Sequence, residues 1–197
     1  MKKENKWSLD RSHSEISFKV RHLMITNVKG SFKTFDANIY TTGKDFTTAE
    51  IDLWIDTASI TTGNADRDEH LKGVDFFDVH HHKQITFTSS TIQKADADGN
   101  HELWGELTMK GITRNVKLSV QFGGIVFDPY GNEKAGFTVS GKINRSHWEL
   151  NWNTVVETTG VMVSDEISIS CEIELTNLGK ENLTMNLEHA ADRESIL

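Results

Sequence analysis

Ile16, Phe18, Val20 and His22 alternate with Ser17, Lys19 and Arg21. A period of two sustained over this length fits a strand with one buried and one wet face, and little else. The stretch 9–35 continues past Val28 and Gly30 and opens a second alternating run at Phe32. Its inward row is apolar, yet it begins near His13 and ends at His22.

Most later apolar segments repeat this design. Strands are predicted at roughly 14–22, 30–40, 50–56, 85–92, 102–109, 115–126, 136–144 and 165–176, with Trp7 and Leu9 leading into the first. Asp98-Gly99 and Asp128-Pro129-Tyr130-Gly131 read as turns. The pattern breaks at 64–73. Asn64 is a good N-cap, acids follow in the first turn, and Gly73 is a good stop, so a short helix is predicted there. Leu71, Val74, Phe76 and Phe77 then form an apolar cluster.

Eight such strands with short connections close most naturally into an antiparallel barrel, because closure removes exposed edges. A sandwich is the competing architecture. An eight-stranded barrel encloses side chains or one small ligand. Inward-row glycines such as Gly105 and Gly141 leave space rather than fill it, which favours a cavity. Residues 1–178 read as one barrel domain. Residues 179–197 read as a polar tail with helical spacing of Leu183, Leu187, Ala190 and Ala191.

The chain has 197 residues, enough for one sizeable core, and 37% hydrophobic with 25% charged residues is ordinary for a globular domain. A net charge of -8 argues against nucleic acid and anionic membrane surfaces, which require basic patches. The single cysteine, Cys171, lies in an apolar alternating row and reads as a small buried hydrophobe. No stretch has the apolar length of a membrane span. The start MKKENKWSLD carries positive charge without an apolar region after it, so a cytoplasmic location is expected, or a periplasmic one for a trimmed mature chain.

Catalytic signatures are absent. There is no Gly-x-Ser-x-Gly elbow, no Gly-rich phosphate loop and no His-Glu-x-x-His. Asp96-x-Asp98-Gly99 fails as a calcium loop, because the first and twelfth ligand positions would be Lys94 and Gly105. His80 and His82 would share a face of an extended segment, but no third metal ligand is nominated and a solvated loop is the default reading. Asp66, Arg67, Asp68 and His70 form the densest ionisable cluster. They read either as the wet face of a helical lid or as a polar gate at the barrel mouth.

Trp7-x-Leu9-Asp10-x-x-His13-Ser14-x-Ile16-x-Phe18-x-Val20-x-His22-Leu23, followed by Val28-x-Gly30-x-Phe32, resembles the YceI-like family of bacterial proteins. So do Ala58-Ser59-Ile60-x-Thr62, Arg67-Asp68-x-His70-Leu71, Phe76-Phe77-Asp78, Ile85-x-Phe87, Gly105-x-Leu107-Thr108-x-x-Gly111-x-Thr113, Gly136-Phe137 and Ile143-x-Arg145. The likeness covers roughly 7–175. Lys83, where the family usually has proline, and Glu149, where it usually has glycine, depart from it. The resemblance implies an all-β, lipocalin-like antiparallel barrel with a short helix near its mouth. It also implies a pocket for a polyisoprenoid, quinone or similar long-chain amphiphile, no cofactor, and a homodimer, which occurs in the family.

On this reading the protein is a non-enzymatic carrier. The tail of its ligand would lie among Ile16, Phe18, Val20, Phe32, Phe87, Leu107, Phe137 and Ile169, and the polar head would meet His22, Arg67 or His70. Two alternatives remain: a small hydrolase or isomerase using those same polar residues, and an interaction module whose barrel is simply packed.

Overall fold

The structure is a computed structural model and describes residues 4–94, 96–153, 155–156 and 160–179. Its strands are β1 (Glu4–Leu9), β2 (Glu15–His22), β3 (Thr26–Phe32), β4 (Phe35–Thr42), β5 (Asp45–Asp56) and β6 (Ile60–Thr61). The helix α1 (Ala65–Lys72) follows, then β7 (Gln84–Ile92), β8 (Asn100–Met109), β9 (Ile112–Phe127) and β10 (Glu133–Asn144). A small pair, β11 (Val155–Val156) and β12 (Gly160–Val161), precedes β13 (Val163–Gly179).

Several of these strands are halves of longer ones. β1 and β2 both pair antiparallel with β13, through Leu9 opposite Leu175 and Ile16 opposite Cys171. β3 and β4 follow them as one interrupted partner, with Phe32 opposite Ile16 and Ile39 opposite Trp7. β5 and β6 do the same against that partner. The result is a closed, up-and-down antiparallel barrel of eight long strands, completed where β13 meets β1 and β2. Closure leaves no long ladder of unpaired backbone groups, the reason alternating strands of this number prefer a barrel.

The interruptions are held by side chains. At residues 33–34, Ser59 Oγ accepts from the backbone N–H groups of Lys33 (3.1 Å) and Thr34 (3.0 Å). At the break after β1, the Asp10 carboxylate accepts from Ser12 N–H (3.0 Å) and from Lys134 Nζ (2.6 Å).

The strand directions give the barrel two different ends. Among the described residues, one carries only short connections, 43–44, 93–99 and 128–132, and is the turn end. The other carries α1, the loop after it and the 3-10 turn Arg145–Trp148, and is the helix end. The helix forms as its sequence dictates. Asn64 Oδ1 accepts from Arg67 N–H (2.9 Å), Asp66 and Asp68 face the positive helix terminus, and Gly73 N–H closes on the His70 carbonyl (3.1 Å).

Sequence and structure differ at the start of the barrel. The stretch around Trp7 and Leu9 is a full strand rather than a lead-in, and the predicted second strand begins earlier and is split in two. Trp7 is completely buried, and its indole N–H donates to Thr41 Oγ1 (2.9 Å). The predicted helical tail at 180–197 lies outside the described residues.

Candidate functional site

Inside the barrel lies a cavity of about 500 Å³. That size falls within the range of small-molecule sites, roughly 300–1,000 Å³. Its wall is almost wholly apolar side chains of the inward rows. Strand alternation places them there: Val120 faces Val139, and Val139 faces Cys171, on successive strands. A packed core would bury such mid-barrel residues completely. Instead Val120, Val139 and Ile169 line the cavity and are only half-buried, so the interior is hollow and the packed-module alternative is overturned.

The inward glycines act differently from expectation. A Cβ on Gly105 would stand closer than 3 Å to the Phe87 ring, and one on Gly141 closer than 3 Å to Leu118. The space at each glycine is therefore filled by a neighbour's side chain. That neighbour reaches over the glycine, into the space a side chain there would take.

All eight sequence-predicted tail residues, Ile16, Phe18, Val20, Phe32, Phe87, Leu107, Phe137 and Ile169, line this cavity. The three head-group candidates, His22, Arg67 and His70, do not. His22 ends β2, opposite Thr26 and Val163. Arg67 is exposed and turns back to donate to Thr62, from Nε to Oγ1 (2.7 Å) and from an Nη to the carbonyl (2.9 Å), which ties α1 to the end of β6. His70 is also exposed. Its ring packs edge-on against Phe76 and Trp152, and Nε2 lies 3.2 Å from the Asp75 carboxylate. The physical reason is the geometry of α1, a surface helix with no buried residue, so its polar side chains bond locally rather than enter the lumen. The constellation that the hydrolase alternative required is not assembled in the cavity.

From the helix end, Leu71, Phe76 and Phe77 reach the lumen, as does Arg145. Arg145 is 6% exposed. Its Nε donates to the Ser164 carbonyl (3.0 Å), and its Nη atoms donate to the carbonyls of Leu150, Trp152 (3.0 Å) and Val163 (3.4 Å). Burial pushes its pKa down, opposed by the charge of Asp165. Asp165 itself accepts from the backbone N–H and hydroxyl of Ser146. Arg145 thus fastens the 145–152 segment to the start of β13 through neutral acceptors. At the turn end, Lys44, Asp45, Thr47 and His101 reach the lumen.

Sequence reasoning overlooked Arg145 and His101 as lumen residues. Counting back by twos from Leu103 and Leu107 would have placed His101 on the inward row. The predicted strand began one residue too late to include it.

Cys171 also touches the lumen, and burial pushes its thiol up to about 12, so it is an inert part of the wall. The three consecutive histidines do not converge on a shared metal-ligand group among the described residues. His81 Nδ1 contacts the Asp78 carboxylate (2.9 Å), while His80 is exposed. The described residues that do converge in that way are Asp10, His13 and Glu174, and the Lys134 ammonium already bridges both carboxylates.

A hollow up-and-down barrel lined by apolar side chains and covered at one end by a short helix is a lipocalin-like binding barrel. The YceI-like domain model matches residues 7–175, and the chain belongs to the YceI-like family. It is 36% identical to a UPF0312 protein of Staphylococcus epidermidis over 172 residues, 87% of this chain and 97% of that one. A Staphylococcus aureus UPF0312 protein is 34% identical, covering 86% and 96%. Among solved structures, Burkholderia cenocepacia BcnA superposes with a TM-score of 0.72 at 25% identity, covering 84% of this chain and 98% of that one. The Campylobacter jejuni YceI protein gives 0.69 at 32% identity, covering 87% and 96%. A polyisoprenoid-binding domain from Saccharophagus degradans shares the fold, with a TM-score of 0.61 at 16% identity, covering 87% and 98%.

Proposed function

We propose that this protein binds a long-chain, isoprenoid-like amphiphile in the barrel lumen and stores or carries it without chemical change. The observation that carries this reading is the hollow interior, where inward side chains at mid-barrel remain half-buried beside a cavity of about 500 Å³. Family membership supports it, and the polyisoprenoid-binding neighbour of the same fold suggests the ligand class. An extended hydrocarbon chain suits the site physically. Each buried CH2 is worth about 0.8 kcal/mol, so a long tail gains affinity without directional contacts.

Native mass spectrometry of freshly purified protein, followed by denaturing extraction and lipid analysis, tests this. A co-purifying isoprenoid, quinone or comparable lipid near one per chain is the expected outcome. A protein that is empty and takes up no added lipid would overturn the reading.

A further inference from the structure

The polar groups touching the lumen are unevenly available. Ser17 Oγ donates to the Ser170 carbonyl (2.6 Å), and the Arg145 guanidinium is committed to backbone carbonyls. At the turn end Lys44 is paired with Glu133, and the Asp45 carboxylate accepts from the Thr47 amide (3.0 Å) and hydroxyl (2.6 Å). His101 is different. Its Nδ1 lies 2.9 Å from the Gln93 carbonyl oxygen. A carbonyl can only accept, so Nδ1 carries the hydrogen, and in the neutral ring Nε2 is left as a lone-pair acceptor.

Accessibility points to the same end. Lumen-lining residues are buried near both ends, Ile39 and Leu175 toward the turn end at 5% and 3% and Phe76 and Leu150 at the helix end at 8% and 5%. Among the described residues, the large hydrophobic side chain that both lines the lumen and is exposed is Phe122, toward the turn end, at 41%. His101 is half-buried and opens the inward row that continues through Leu103, Gly105 and Leu107.

We propose that the turn end is the doorway of the lumen and that His101 Nε2 is its head-group site, accepting a hydrogen bond from the hydroxyl of a long-chain alcohol whose tail runs toward the helix end. This rests on the reading of the lumen as a long-chain binding site. The charges nearby are mixed: Lys44 is already paired with Glu133, and the Asp45 carboxylate stands against the positive charge of Lys94. No unbalanced charge is offered to an ionic head, so a neutral hydroxyl is the head group that suits His101.

The test compares binding of geranylgeraniol, the hydrocarbon counterpart lacking its hydroxyl, and the matching carboxylate, above the ordinary histidine titration range. The intact protein should bind the alcohol about three- to ten-fold more tightly than the hydrocarbon, the size of one net hydrogen bond. His101→Phe should erase that preference, read as the ratio of alcohol to hydrocarbon affinity within the variant. Nitrogen NMR of the unaltered protein should show the His101 Nε2 resonance responding to the alcohol and not to the hydrocarbon, which keeps the test decisive even if the variant fails to fold. A preference that survives in His101→Phe, a silent Nε2, or tighter binding of the carboxylate would overturn the head-group assignment and leave the lumen reading intact. Failure of both alcohol and hydrocarbon to bind would overturn the lumen reading itself, and this assignment with it.

Discussion

The two ends of the barrel carry charge in opposite ways. At the helix end Arg145 is 6% exposed and satisfied by main-chain carbonyls, so its charge serves to hold a segment. At the turn end Lys44, Asp45 and His101 stand on or beside short connections, with an exposed Phe122 among them. A polar residue touching a lumen is therefore not by itself a ligand contact. What decides is whether its hydrogen-bonding capacity is already used by the protein.

The sharpest way to break this contrast is Arg145→Ala. It removes the donors from at least three buried or part-buried carbonyls and should cost about 3 kcal/mol or more, read by urea denaturation. A variant as stable as the parent would show that the helix end does not depend on that staple. Within the lumen, Phe18→Asp places a carboxylate on the apolar wall and should abolish uptake of a long-chain probe while circular dichroism still reports a barrel. Undiminished uptake by the folded variant would remove β2 from the ligand's path.

Gly105→Ala is a subtler probe. The added methyl would meet both the Phe87 ring and the Thr88 carbonyl oxygen closer than 3 Å, so ring and backbone must both shift, costing about 3 kcal/mol or more and reducing the longest chain accepted in a homologous ligand series.

Away from both ends, Asp10 offers a control. The Lys134 hydrogen bond first, and that of His13 second, hold its carboxyl well below the usual carboxylate range. A carboxyl with a depressed folded pKa adds stability above its unfolded value of about 4 and loses it as pH falls below that value. Asp10→Asn should therefore lower stability at neutral pH by about 1–2 kcal/mol and flatten the acid limb of the pH–stability curve, without changing ligand binding. The smallest effect is expected for His70→Ala. It removes exposed ring contacts with Phe76 and Trp152 and should cost at most about 1 kcal/mol in thermal melts, with the ligand retained. Loss of binding on that substitution would return the head group to the helix end.

Much of this molecule was legible before any coordinates. β7 to β10 and β13 fall within three residues of their predicted bounds, while the short pair β11 and β12 was not predicted, and α1 forms between Asn64 and Gly73 because both caps are written locally. Even the apolar lining was readable, since each of the eight expected residues reaches the lumen. β1 was harder: Glu4–Leu9 alternates only briefly, and its pairing with β4 and β13 depends on residues thirty or more positions away. The polar lining was harder still. Arg67 and His70 lie near the barrel in sequence logic, yet their partners Thr62 and Asp75 are local and hold them outside.

By itself the sequence determined the count of long strands, face parity and the helix α1, because a period of two and a pair of helix caps act over a few residues. Tertiary structure alone decided that the interior is hollow and which polar groups border it. Both follow from register across strands distant in the chain. The Phe87 ring can reach over position 105 only because a glycine stands there, diagonally across from it. Arg145 is occupied only because the carbonyls of Leu150, Trp152, Val163 and Ser164 converge on its guanidinium. Alternation fixes which way a side chain points, but the cross-strand neighbour it meets is set by closure of the barrel.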